Sequence, residues 1–313
     1  MASFNNTTSF SSRSEAKEKS GLTGRKNKRF KKTLEKIVEN IFLLCACVAI
    51  LSVLIIAIYI FVKGSPAIFK IGVWKFISGT TWMPSAGEYG IFPFIVASIL
   101  ATLGAVIFGV IIGLFTAIFL AEIAPKWMVR VFRPAIELLA GIPSIVYGFF
   151  GLIVIVPLIR QYIGGEGNSL LAGIIILSIM ILPTIVSISE TSMRAVPNSY
   201  KEGSLALGAT HIQTIFRVIL PAAKSGILTA IVLGTGRAIG ETMAVILITG
   251  NTPMIPHAVT DRVRTLTSNI ALEMGYAQGL HQEALFATGV ILFVFIMILN
   301  IILNLIIYKK AGE

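Results

Sequence analysis

The sequence predicts an all-α integral membrane protein with six transmembrane helices, and three observations carry that prediction. Of its 313 residues, 55% are hydrophobic and only 13% charged, with a mean hydropathy of +0.87. A soluble domain of this length could not hide so much apolar surface. The apolar residues fall into charge-poor runs of about 20 residues or more, enough to cross a bilayer at about 1.5 Å per residue. The basic residues gather beside those runs, which is a signal of membrane orientation. The net charge of +11 is therefore a topological feature, and no nucleic-acid partner is expected.

Residues 1–36 are polar, Ser- and Asn-rich and then strongly basic (GRKNKRFKK), with no apolar period. They predict a disordered basic cytoplasmic tail. Residues 37–63 hold the first transmembrane helix. Its run from Ile41 to Val62 is too long for the apolar core of a cleavable signal peptide and lacks a small-residue cleavage site. Cys45 and Cys47 lie inside it, too close to close a useful disulfide loop, and read as small packing residues. Residues 64–93 read as an external loop in which Trp82 would be an interfacial anchor.

Residues 94–308 supply the other five spans, at about 94–120, 138–159, 170–189, 226–249 and 285–307. No internal repeat is visible, so one bundle is expected. With the amino terminus inside, nineteen Lys and Arg fall in cytoplasmic segments, six in external ones, and Arg237 lies within a span. Both termini are thus expected in the cytoplasm. Pro143, Pro157 and Pro183 mark expected kinks. Glu122, Glu137 and Glu190 fall at span ends, where carboxylates are ordinary. His211, His257 and His281 read as solvated surface residues, and no metal site is expected.

Two stretches carry the functional signal. The first is the cytoplasmic loop 198–221, NSYKEGSLALGATHIQTIFRVILP. Ser199 with Glu202, and Thr210 with Gln213, have the spacing of capping boxes. Gly208 can end the first helix and Pro221 bounds the second. A helix, a sharp turn and another helix make a docking surface. The second stretch is GTGRAIGETMAV, residues 234–245, which puts Arg237 and Glu241 on one helical face near mid-span. Such charges cost about 2.5 to 3.5 kcal/mol each at the helix centre. They can brace a helix contact as an ion pair beside Gly236 and Gly240, whose spacing suits close helix approach. Alternatively they form a substrate pathway, in which the Arg237 fork binds an oxyanion and Glu241 orients it.

Glu202, Gly203, Ser204, Gly208, Val218, Leu220 and Pro221 fit the spacing of the EAA loop of binding-protein-dependent ABC importer permeases: E-A-A, three residues, Gly, nine residues, I-x-L-P. Gly203 and Ser204 stand for the two alanines and Val218 for the isoleucine. GIPSIVYGFFGL (141–152), GRAIGETMAV (236–245) and VRTLTSNIALEMG (263–275) narrow the resemblance to the phosphate-specific ABC importer permease of PstC type. That resemblance covers about residues 37–308.

It implies a type I (MetI-like) permease core in the bacterial cytoplasmic membrane, with 198–221 as the helix that couples to an ATPase. It also implies a heterodimer with a PstA-type permease, two PstB-type ATPase subunits that use the ATP, and an external PstS-type phosphate-binding protein. The chain itself would bind no cofactor and catalyse no reaction. It has no G-x-x-x-x-G-K-[ST] segment to cradle a nucleotide, and no G-x-S-x-G, H-E-x-x-H or Cys cluster. A secondary anion transporter or channel without an ATPase, and an ABC permease for another oxyanion, stay open at this point.

Overall fold

The computed structural model describes residues 7–311, with side chains for 35–302 and 305. The chain divides into two units, Met1–Tyr59 and Ile60–Glu313. In the first, helix α1 (Thr7–Ile71) is already under way from Thr7, within the segment 1–36 for which a disordered tail is expected from composition. The physical reason is cooperativity: Ala, Lys, Glu, Arg and Leu are strong helix formers, and they extend a helix that the first span has already nucleated. Residues 1–6 lie outside the described residues. Cys45 and Cys47 are exposed rather than packed within the chain.

In the second unit, the end of α1 meets the last span. A Cβ on Gly64 would stand 2.7 Å from the backbone of Ala287, and Phe61 meets Phe293 edge to face at 5.9 Å. The expected loop 64–93 is built rather than open. After α2 (Val73–Ser78), strands β1 (Trp82–Met83) and β2 (Glu88–Tyr89) pair antiparallel with Trp82 opposite Tyr89. Trp82 is 6% exposed, which corrects its reading as a lipid-interface anchor: its ring is enclosed by Tyr89, Phe94 and His281.

Span two is α3 (Phe92–Ile118), prolonged by a π-helical turn at Phe119–Ile123. It lies along span four, α7 (Leu170–Arg194). Glycines permit the approach: Cβ atoms on Gly104, Gly109 and Gly113 would stand 2.6 to 2.8 Å from Ile174, Ile181 and Ile185 respectively. Between membrane helices close packing replaces the hydrophobic effect as the source of association. Gly109→Leu is therefore expected to overpack this seam, at a cost of about 1–3 kcal/mol, and to lower the thermal unfolding midpoint in detergent by several degrees. An unchanged midpoint would show that the seam is loose.

Between them lies a broken element, α4 (Lys126–Gly141) followed by α5 (Ser144–Phe150), a π turn at Gly151–Ile155 and α6 (Val156–Tyr162). The span expected to start at Leu138 thus starts at Ser144. Pro143 disfavours the helical conformation at Ile142, whose ψ is 128°. The π turn absorbs Pro157, whereas α7 runs unbroken through Pro183.

The loop and span five follow as α8 (Asn198–Ala206), α9 (His211–Thr214), a π turn at Ile215–Ile219, α10 (Leu220–Ala222), α11 (Lys224–Gly240) and α12 (Met243–Ile248). The chain bends by 70° between 211–222 and α11. The segment after α12 is stitched to the start of α7, with Leu170 and Leu171 N–H donating to Asp261 and Val259 carbonyls. The Asp261 carboxylate accepts the N–H groups of Ala258 and His257, which hold it below the usual carboxylate range. Helices α13 (Leu266–Glu273) and α14 (Leu280–Ala311) complete the chain. Among the described residues five helices are long and apolar enough to cross a membrane, and the bent pair makes a sixth.

Candidate functional site

Span five was expected to be continuous from 226 to 249, and it is not. The helix stops at Gly240, and Glu241 has φ −68° and ψ 132°, an extended backbone. Its carboxylate then turns forward and accepts the N–H of Ala244 at 3.2 Å, capping the start of α12. Its carbonyl accepts the Thr267 hydroxyl at 2.9 Å, so α13 holds the break from the side. A cavity of about 10 Å³, room for one water, adjoins it and is lined by Ser98, Thr102, Glu241, Thr265 and Thr267 among others.

The break corrects the expected same-face geometry of Arg237 and Glu241. That spacing requires Glu241 to be helical, and they form no ion pair. Arg237 is half-buried in the last turn of α11, and its Nη1 reaches the Thr184 hydroxyl at 3.5 Å. Gly236 and Gly240 meet nothing: a Cβ on either would find open space. Close helix approach within the chain falls instead to Gly234, whose Cβ would stand 3.1 Å from Ile185, and to Gly226 against Ser192. The guanidinium is thus held beside an uncovered small-residue face.

At the end of the bundle carrying α13, a buried charge cluster fixes that helix. Glu273 accepts Arg264 Nη1 at 2.6 Å, Trp82 Nε1 at 2.9 Å and a 2.8 Å hydrogen bond with His281. Arg264 also donates to the Asn251 carbonyl and to Asn269 Oδ1. His281, expected on the surface, is therefore enclosed. Sequence reading missed this cluster because its hydrogen-bonded pairs span as much as 191 residues; a bare Arg and Glu near a span end give no sign of each other.

At the other end lies the loop 198–221. Its turn is a Schellman motif: Ala209 N–H donates to the Ser204 carbonyl and Gly208 N–H to that of Leu205. Gly208 has φ +85°, where a side chain is strained. The capping box of Thr210 and Gln213 is formed in both directions. The one expected at Ser199 and Glu202 is not, because Pro197 occupies the N-cap and the helix begins at Asn198.

Glu202, Gly203, Gly208 and Pro221 are exposed, and Ser204 and Leu220 are half-buried. The Ser204 and Thr214 hydroxyls bond at 3.0 Å, tying the two helices together. Pro221 sits in α10, and the bend follows at Ala223. Tyr200, Leu207, Ile212 and Phe216 present apolar surface outward, Leu207 being 91% exposed.

Beneath the loop, Glu122 and Glu190 prove to be buried and paired rather than ordinary span-end carboxylates. Lys201 donates to Glu122 at 2.6 Å, while Arg133 and Arg194 donate to Glu190 at 2.5 and 2.9 Å.

Residues 109–310 match the model of the family described as "Binding-protein-dependent transport system inner membrane component". The chain belongs to that family. A Bacillus subtilis relative named probable ABC transporter permease protein YqgH is 43% identical over 267 residues, which is 82% of this chain and 86% of that protein. The phosphate transport system permease protein PstC of Haemophilus influenzae is 37% identical over 257 residues, 75% of this chain and 81% of that one.

The inward-facing MetNI methionine ABC transporter shares the fold, with a TM-score of 0.58 at 20% identity over 74% of this chain and 99% of that one. This permease therefore has the MetI-like architecture.

Proposed function

We propose that this permease is the subunit of an ATP-driven importer that forms the pathway for inorganic phosphate. The observation that carries the reading is the pairing of an exposed, Schellman-turned helical loop at one end of span five with a charged break in the middle of the same span. The PstC relatives give the substrate class. The loop, Glu202 to Pro221, is the seat for an ATPase subunit that binds and hydrolyses the ATP, so this chain needs no cofactor of its own. A second permease of PstA type would cover the open Gly236 and Gly240 face, a pair of PstB-type ATPases would dock on the loops, and a PstS-type protein would deliver phosphate outside. Both termini are read as cytoplasmic from the distribution of Lys and Arg.

In the pathway, Arg237 is available to an anion because it forms no ion pair with a carboxylate among the described residues. Its planar fork matches two phosphate oxygens. Glu241, held in place by the cap on α12 and by Thr267, supplies a fixed acceptor four residues on. It can accept a hydrogen bond from a protonated phosphate, which sulfate does not offer at neutral pH. Its charge also keeps the anion from being trapped. Purifying the chain from native membranes and identifying every associated protein tests the assembly: a second permease, an ATPase and a phosphate-binding protein are expected, and a lone homodimer would overturn the reading.

A further inference from the structure

Helix α8 is weakly tied to the rest of the chain. None of its residues is buried. The Ser204 to Thr214 bond stays within the loop. Its one ion pair with a span, among the described residues, is Lys201 Nζ to Glu122 Oε2 at 2.6 Å. The two side chains differ in setting, Lys201 being 32% exposed and Glu122 only 8%.

Glu122 belongs to the π turn that ends span two. Two residues before it, the Leu120 carbonyl accepts Arg194 Nη2 at 2.7 Å. Arg194 and Arg133 share Glu190. One ion pair thus ties α8 to the end of span two, and a backbone hydrogen bond and two further ion pairs tie that end to span four and α4. Span two in turn packs Val106 and Val110 against a cluster of Ile181, Ile185 and Ala238, and Ala238 is the neighbour of Arg237.

We propose that Lys201 and Glu122 are positioning residues: they fasten the loop to span two, so that a displacement of α8 moves span two directly and not only through the bend into span five. This inference rests on the reading of Glu202 to Pro221 as the ATPase seat, which Lys201 adjoins. A covalently continuous route already leads from the loop into span five, whereas span two is distant in sequence and, among the described residues, has no other ion pair with α8. The pair is the point at which two spans are made to answer to one helix, and coupling by a discrete fastening of this sort is measurable as a free energy between sites.

The test uses the whole importer in proteoliposomes, with Glu122→Gln, Lys201→Gln and the exchange Glu122→Lys with Lys201→Glu. Three quantities are read on each preparation: ATPase retained on the complex, ATP hydrolysed and radiolabelled phosphate imported. Each single variant is expected to keep the ATPase and hydrolyse ATP at near the parental rate, while phosphate imported per ATP falls about tenfold, a typical size for coupling between sites. The exchange is expected to restore the ratio to within about twofold of the parent.

A pair that merely supports the fold would lower assembly and hydrolysis together and leave the ratio alone, and that result would overturn the proposal. So would a parental ratio in both singles, or an exchange no better than they are. Should Glu122→Gln fail to assemble, Lys201→Gln, at the more exposed partner, decides by its ratio. Failure of the unaltered permease to retain any ATPase would instead remove the reading of the loop itself.

Discussion

Arg237→Gln is expected to leave the permease folded, assembled and joined to a working ATPase, while phosphate uptake falls about a hundredfold. The magnitude follows from losing two charge-assisted hydrogen bonds of about 1.5–3 kcal/mol each, of which part is kept by the glutamine amide. The structure makes the single variant informative. Breaking a buried ion pair strands the surviving charge at about 3–5 kcal/mol, but Arg237 pairs with no carboxylate among the described residues, so removing it strands no charge. Glu241→Gln alongside it removes the second charge and keeps the side-chain size that caps α12. Uptake, ATP hydrolysis and assembly measured together separate the cases. Near-parental uptake by the double variant would remove both residues from the pathway, and loss of assembly with it would make them braces.

Glu273→Leu is expected to be the most destabilising single change at the opposite end of the chain, by about 3–5 kcal/mol. It leaves the guanidinium of Arg264, only 16% exposed, without its carboxylate, and it takes the acceptor from Trp82 Nε1. Hairpin, α13 and the start of α14 would part together, because Trp82, Glu273 and His281 come from those three places. Adding Arg264→Met should return much of the loss, since replacing both charges by apolar groups is often tolerated. Thermal midpoints of the two variants in detergent check this. A Glu273→Leu midpoint equal to the parent's would show that the cluster is solvated.

The apolar runs made the spans legible, and the residues of α3 and α7 show why. Helix α3 carries no charge and α7 carries none before Glu190, so their apolar stretches are set by the cost of burying a charge in lipid. The second helix of the loop was legible for a local reason: Thr210 and Gln213 cap each other across one turn. The first box failed because Pro197 competes for the same helix start. The break at Glu241 was hidden by composition. Gly240, Glu241 and Thr242 spell a helix end followed by a helix start, but they sit in a run whose hydropathy reads as one span, and a tertiary bond from Thr267 settles the choice. Glu190 has a local partner in Arg194 and Glu273 has two within nine residues, but the pairs of Glu122 with Lys201, Glu190 with Arg133 and Glu273 with Trp82 cross 57 to 191 residues and are decided by packing, on which a one-dimensional pattern is silent.

On the proposed reading, this chain forms a phosphate pathway driven by a separate ATPase seated on the loop from Glu202 to Pro221. Radiolabelled phosphate uptake into proteoliposomes carrying the permease pair, with the binding protein present, tests it most directly. Uptake is expected only when ATPase subunits and ATP are both supplied, and excess sulfate is expected not to compete. Equal uptake without ATPase or ATP would contradict the account and make the chain a secondary transporter or channel.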